Sequence, residues 1–143
     1  MHIQVATKAD KSAIKRFYKN NRYSASFMGD DQCFYITHHE EIVACVIVSY
    51  SKTTPFLHAL VVQQNQQKNG LARQLVAQCQ QQFTDIICFA NNDLTEFYLK
   101  LGFVKSNANR LPANLLDRFQ IYSNKNNLLQ CYQYLSESAS NNR

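Results

Sequence analysis

Apolar and polar positions change period several times along this chain, and each change marks an element. Residues 2–6 read as a short first strand. Thr7 can cap a helix that follows, with Asp10 at the third position to support its N-terminus, and the helix is predicted to run to about Lys19. Its apolar face is Ala13, Ile14, Phe17 and Tyr18, and Lys8, Lys11, Lys15, Lys19 and Arg22 form a basic stripe on the opposite side. Residues 22–31 form an irregular polar and aromatic loop containing Gly29. Residues 32–37 and 42–50 are strand-like and are joined by the polar turn His38-His39-Glu40, so they predict a hairpin.

Residues 56–62 form another apolar strand, which leads into Gln67-Lys68-Asn69-Gly70-Leu71-Ala72, a Gln-x-x-Gly-x-Ala turn. After it Leu71, Ala72, Leu75, Val76, Cys79 and Phe83 recur at helical spacing. The Gln-rich patches at residues 63–67 and 80–82 fall in a loop and on a helix face. Residues 85–90 read as a buried strand, then Asn91 or Asn92 caps a short helix through Leu101 that Gly102 ends. Residues 103–105 begin a further strand. Strand, helix, strand, helix, strand from residue 56 to 105 implies at least one right-handed parallel crossover, with ligand at the C-terminal end of a strand. Further on, Pro112 opens a helix carrying Leu115, Leu116, Phe119 and Tyr122 on one side, and residues 128–135 form a final strand. The polar stretch 136–143 is expected to be disordered.

Composition narrows the class. At 143 residues, 45% hydrophobic and 17% charged, the chain is expected to be one folded domain spanning 1–143 rather than a disordered segment. No apolar run approaches the ~20 residues of a membrane helix, and the first residues lack the basic-then-apolar shape of a secretory signal. A cytoplasmic protein with no membrane association is the expectation. Cys33, Cys45, Cys79, Cys88 and Cys131 are far apart, with no CxxC and no Cys/His metal spacing, so reduced core thiols are expected and no metal. The net charge of +5 favours a polyanion, whether nucleic acid, an acidic protein or a nucleotide-based ligand.

The turn at residues 67–72 carries the chemistry. Backbone N–H groups at a helix start lack intrahelical partners, the helix dipole adds partial positive charge there, and a glycine lets an anion approach the main chain. Such a turn suits a phosphate-bearing ligand. Neither a Gly-x-Gly-x-x-Gly fingerprint nor a P-loop Lys-Ser/Thr is present. The order of parts is more specific. A hairpin precedes the strand 57–62, the strand leads into Gln67-x-x-Gly70-x-Ala72, and nineteen residues after Ala72 comes Asn91, followed by Phe97-Tyr98-Leu99-Lys100-Leu101-Gly102-Phe103.

In these features the chain resembles the GNAT superfamily of acyl-CoA-dependent N-acyltransferases. That family's pyrophosphate turn is matched by Gln67, Gly70 and Ala72, and its later signature, an Asn seven residues before a Tyr-x-x-x-Gly-Phe, by Asn91, Tyr98, Gly102 and Phe103. The resemblance covers roughly residues 3–103. It implies an α/β (α+β) fold: a mixed, mostly antiparallel sheet with helices on both faces and a splayed central pair of parallel strands. Residues 106–126 depart from the short connection usual there, as an atypical insertion that could cover an acceptor site or a partner surface.

The resemblance also implies roles. The main chain of Leu60, Val61 and Val62 would bond the pantetheine amides of acetyl-CoA like an added strand. The N–H groups of Gln67, Lys68, Asn69, Gly70, Leu71, Ala72 and Arg73 would hold the pyrophosphate, and Asn91 belongs to the same cofactor-binding set. Tyr98 matches the tyrosine that protonates the departing thiolate. The reaction would be direct attack of a primary amine, of a small molecule or a peptide, on the acetyl thioester, with a backbone N–H near Leu60 or Val61 stabilising the oxyanion. An amine must lose a proton first, and His58 is the best-placed base. Arylalkylamine acetyltransferases of the superfamily have histidine at this offset and commonly a second two residues earlier, where this chain has Phe56. Water, Glu40, Glu41, Asp30 or Asp31 stay open as alternative bases. Asp30 and Asp31 would attract a cationic amine approaching from the 22–31 loop.

Two other functions compete. A related module could bind acyl-CoA without turnover and act as a sensor or regulatory subunit. The basic stripe on the first helix could track a phosphate backbone, but lysines opposite an apolar face are what a solvated helix carries, and no Arg-rich run or recognition-helix pattern accompanies them. Nucleic acid is therefore not the expected partner; acetyl-CoA and an amine are, with the protein a monomer or homodimer.

Overall fold

Strands β1 (Ile3–Val5), β2 (Gln32–His38), β3 (Glu41–Ser51), β4 (Thr54–Val62), β5 (Asp85–Asn91), β6 (Val104–Ser106) and β7 (Leu129–Leu135) are interspersed with helices α1 (Lys11–Asn20), α2 (Leu71–Gln82), α3 (Thr95–Lys100) and α4 (Ala113–Lys125), with β2, β3 and β4 consecutive, in a computed structural model that describes residues 2–51 and 54–136. The fold is mixed α/β, mostly antiparallel, with β4 and β5 forming one parallel pair. The chain divides into two compact units, Met1–Ser49 with Leu57–Cys79 and Tyr50–Phe56 with Gln80–Arg143. Strand order is β1-β2-β3-β4 in the first and β4-β5-β7-β6 in the second, with β4 contributing residues to both.

In the first unit, the hairpin forms as the two strand-like runs and the polar turn between them predict. Phe34 faces Val46 and Tyr35 faces Cys45 across the β2–β3 ladder. Its turn places His39 and Glu40 in the left-handed region (φ +52° and +67°), as a two-residue hairpin turn requires. A period of two sends Cys33, Tyr35, Cys45 and Ile47 to one face, where they pack with Ile14, Phe17, Tyr18 and Ala59. Phe34, Ile36, Val46 and Val48 point the other way and are also buried, so this sheet is covered on both faces.

Helix α1 begins later than its sequence cap suggests, because a 3-10 turn at Lys8–Asp10 intervenes. The Thr7–Asp10 pair forms as expected, with the Thr7 N–H donating to the Asp10 carboxylate at 2.8 Å. Ala13, expected on the apolar face, is exposed at the edge of the stripe. Residues 63–67, expected as a loop, lie mostly in a 3-10 helix, Gln64–Asn69. Six polar residues without an apolar face can make one short tight helix, and periodicity does not announce it.

The second unit is built around β7. It pairs antiparallel with β5 (Phe89 opposite Cys131) and with β6 (Lys105 opposite Tyr132). Helix α4 buries Leu115 against Phe56, Ile87, Leu111 and Cys131, with Phe89, Leu116 and Phe119 at the margin. The 106–126 segment is thus largely a core-forming helix of this unit. Pro112 caps α4 rather than opening it, its carbonyl accepting from the Leu115 and Leu116 N–H groups. Tyr122 falls off the buried side and is exposed. Phe103 precedes β6 instead of starting it and is buried. Ser136 is not frayed, since its N–H donates to the Thr84 carbonyl at 2.9 Å; the rest of the 136–143 stretch lies outside the described residues.

Candidate active site

Within the first unit, the C-terminal half of β4 and the start of α2 bring together most of the residues singled out in the sequence. Ala59, in the middle of β4, has φ +56°, in the left-handed region that non-glycine residues seldom occupy. Such a residue interrupts the alternation of a strand and turns the following main chain, here Leu60, Val61 and Val62. The Ala59 carbonyl accepts a hydrogen bond from the buried Tyr18 hydroxyl at 2.7 Å. Burial raises the Tyr18 phenol well above its ordinary range, so the hydroxyl stays protonated and remains a donor.

His58 is half-buried, and its Nε2 lies 2.7 Å from the Ser49 hydroxyl. Ser49 interrupts the valine-rich run of β3 as a polar residue, which is the only sign of it in the sequence. The pair places a hydroxyl against the imidazole nitrogen, an arrangement that orients the ring and can pass a proton.

Gln67 reaches back from the 3-10 helix, and its Nε2 donates to the Val62 carbonyl at 3.1 Å, tying the turn to the strand end. Gly70 has φ +73° and both ends the 3-10 helix and precedes α2. Its carbonyl accepts from the Gln74 N–H at 3.1 Å, which opens the helical ladder. The amides of Gln67, Lys68 and Asn69 lie inside the 3-10 helix, where such groups point to carbonyls three residues back. Those of Leu71, Ala72 and Arg73 occupy the first turn of α2, where no carbonyl four residues earlier is in the helix. The Arg73 guanidinium folds back to within 3.6 Å of where a Cβ on Gly70 would stand. A helix N-terminus and a cation therefore lie side by side at Gly70.

The remaining two site residues, Asn91 and Tyr98, belong to the second unit. Asn91 ends β5, and its side-chain carbonyl accepts from the amide of Asn126, at the end of α4. The next residue, Asn92, donates its N–H to the Leu128 carbonyl at 2.8 Å. Tyr98 is 4% exposed on α3, stacked on Tyr132 at 5.1 Å with Phe97 and Phe103 edge-on at 5.0 and 5.3 Å. Thr95 donates to the Asn92 carbonyl, so the Tyr132 hydroxyl, 2.6 Å from the Thr95 oxygen, is the donor of that pair. Burial pushes the Cys88 thiol up, the neighbouring Cys131 adds to this, and a hydrogen bond with Tyr98 works the other way. Tyr98 thus already has a sulfur for a neighbour. Tyr18, Ser49, Thr95, Asn126 and Tyr132 support these residues, and long-range pairing of this kind leaves no spacing signal in a sequence.

Among the described residues, two of the grooves lie within the first unit. One, of about 420 Å³, is lined by Arg16, Asn20, Asn21, Glu40, Glu41 and Gln63 among others, and so contains the two glutamates considered as bases. The second, of about 720 Å³, runs along the end of α1 and the following loop. Neither Asp30 nor Asp31 lines either groove, and Asp31 accepts the Met28 N–H at 3.1 Å within its own turn. All five cysteines are buried free thiols, and Cys33 and Cys45 bring their sulfurs to 3.3 Å.

The acetyltransferase (GNAT) domain family matches residues 4–117, and the chain belongs to that family. No curated protein matches it in sequence. Among solved structures it is similar to the ribosomal-protein-S18-alanine N-acetyltransferase of Escherichia coli (14% identity, TM-score 0.68, 94% of each chain covered). It is also similar to spermidine N-acetyltransferase of Vibrio cholerae (12% identity, TM-score 0.62, 94% of this chain and 95% of that one). A third is N-acetylglutamate synthase of Neisseria gonorrhoeae complexed with coenzyme A and N-acetyl-glutamate (12% identity, TM-score 0.67). There 94% of this chain corresponds to only 35% of the other, so it spans about a third of that protein.

Proposed function

We propose that the protein transfers an acetyl group from acetyl-CoA to a primary amine by direct attack within a ternary complex. The observation that carries this reading is the mouth of α2, where left-handed Gly70, the amides of Leu71–Arg73 and the Arg73 guanidinium lie side by side. That donor set fits a diphosphate. The family match supports acyl transfer, and the similar structures include enzymes named for acetylating an amino acid, a protein and a polyamine.

Bound acetyl-CoA would supply an acyl carbon activated as a thioester. Gly70 to Arg73 bind its diphosphate, with Gln67 holding the turn against β4 and Lys68 and Asn69 completing it. The main chain of Leu60, Val61 and Val62, turned outward after Ala59, bonds the pantetheine amides, and an N–H near Leu60 or Val61 faces the thioester oxygen. His58 takes the proton that the acceptor ammonium must lose, with Ser49 fixing the ring. Tyr98 gives a proton to the departing sulfur, and Asn91, at the end of β5, belongs to the coenzyme-binding set.

The test is release of free coenzyme thiol with acetyl-CoA and an amine library. Turnover should fall by about 10²-fold in Tyr98→Phe. Saturable coenzyme binding without turnover on any amine would replace this reading with a sensor.

A further inference from the structure

The groove of about 720 Å³ is lined by Lys15, Lys19 and Arg22, with Tyr23, Ser24 and Ser26 adding hydroxyls, and no acidic residue lines it. Its volume is in the range of a small-molecule site, larger than a bare amine needs. Three cations along one wall make an electrostatic trap for anions and repel a free ammonium. The groove is also connected to the reaction strand inside the first unit. The Tyr23 ring packs on Tyr18 at 5.7 Å, and the Tyr18 hydroxyl bonds the carbonyl of Ala59. Ala25 and Phe27, from the same loop, pack against the cluster that contains Ala59. The loop was expected to attract a cationic acceptor through Asp30 and Asp31, but its groove has the opposite charge.

We infer that this groove is the anion subsite of the acceptor, and that the amine acetylated belongs to a carboxylate-bearing molecule. The inference rests on the acetyl-transfer reading. Lys15, Lys19 and Arg22 hold the carboxylate with the serine and tyrosine hydroxyls beside it. The amine end of the same molecule then points toward β4 at Leu60, which is half-buried where Ala59 beside it is buried. Because the three cations are exposed, their pull is screened by salt, and acceptor preference must weaken as ionic strength rises.

The experiment uses matched pairs, each an acidic amino acid or a short peptide with an acidic N-terminal residue beside its carboxamide form. The carboxylate forms should have a kcat/KM about 10-fold or more higher at low salt, a gap that narrows at high salt. The triple variant Lys15→Gln, Lys19→Gln, Arg22→Gln should abolish the gap with coenzyme affinity and melting temperature unchanged. Whichever of free amino acid and peptide shows the larger gap identifies the source of the carboxylate. A preference for neutral or cationic amines, or a gap that survives the triple variant, would overturn the inference. So would tighter capture of a single-stranded oligonucleotide by the same three residues. Titration of the coenzyme-free protein with the same acidic amino acids, followed by NMR at the amides of Tyr23, Ser24 and Ser26, needs no turnover. Shifts there that vanish in the triple variant, in a protein that acetylates nothing, would overturn the acetyl-transfer reading and leave the subsite standing. No shifts in the wild-type protein would remove the subsite alone.

Discussion

The hydroxyl of Tyr18 donates to the carbonyl of Ala59 at 2.7 Å, joining helix α1 to the residue of β4 whose backbone is left-handed. Both residues are buried, so no water replaces this donor if it is lost. Tyr18→Phe should destabilise the fold by about 1–3 kcal/mol, the cost of an unsatisfied buried carbonyl. The same variant should weaken acetyl-CoA binding, because the main chain after Ala59 loses its anchor. Thermal unfolding and coenzyme titration check the two effects, and a variant as stable as wild type would show that the bond contributes nothing.

The Ser49–His58 pair makes a kinetic prediction. If the imidazole removes the acceptor's proton, the acidic limb of the pH–kcat/KM profile reports it, and His58→Gln should lose that limb along with about 10²-fold in rate. Ser49→Ala should keep the limb but displace it, since the ring loses its 2.7 Å hydroxyl partner. A glutamine variant with an unchanged profile would move the base to water or to a carboxylate.

Gly70 at φ +73° has room for a side chain, since the nearest atom to a built Cβ is Arg73 Nη2 at 3.6 Å. The obstacle is the backbone conformation itself. Gly70→Val forces a β-branched residue into the left-handed region at a cost of about 1–2 kcal/mol and should tilt the first turn of α2. The coenzyme dissociation constant should rise at least about 10-fold, an effect worth 1.4 kcal/mol. Gly70→Ala should show a smaller change in the same direction. Isothermal titration separates them.

Burial raises the Cys79 and Cys131 thiols to about 12, against an ordinary value near 9. The folded state therefore keeps protons that the unfolded chain gives up first. Their contribution to stability is complete below pH 9 and is lost as pH climbs from 9 toward 12. Each thiol contributes a slope of about 1.4 kcal/mol per pH unit in that window. Urea unfolding at pH 8, 9 and 10 should show the decline, with Cys79→Ser flattening it. A stability that is level across this range would contradict the burial of both sulfurs.

Much of this was legible before any coordinates. The β-branched run at residues 42–50 and the polar turn before it located β2 and β3, and the spacing of Leu71, Leu75, Val76 and Cys79 located α2 because one-sided burial imposes a helical period. The glycine turn was visible because a left-handed backbone demands an unusual residue. Ala59 shows the limit of that logic: its φ is equally positive, yet an alanine inside an apolar strand gives no warning. Ser49 and Tyr18 were hidden for another reason. Their partners lie 9 and 41 residues away, and their value comes from pairing that the chain acquires only on folding. The charge of the groove beside the 22–31 loop is not legible from Asp30 and Asp31, which lie in that loop but line neither groove. Lys15 and Lys19, on the preceding helix, supply the wall.

In the second unit β7, which follows both β5 and β6 in the chain, sits between them in the sheet. Until residues 129–135 leave the ribosome, β6 has no hydrogen-bonding neighbour and β5 lacks one of its two. A nascent chain halted before that point would expose strand edges ready to pair with any other strand at hand. Its safe folding during synthesis depends on the prompt arrival of β7.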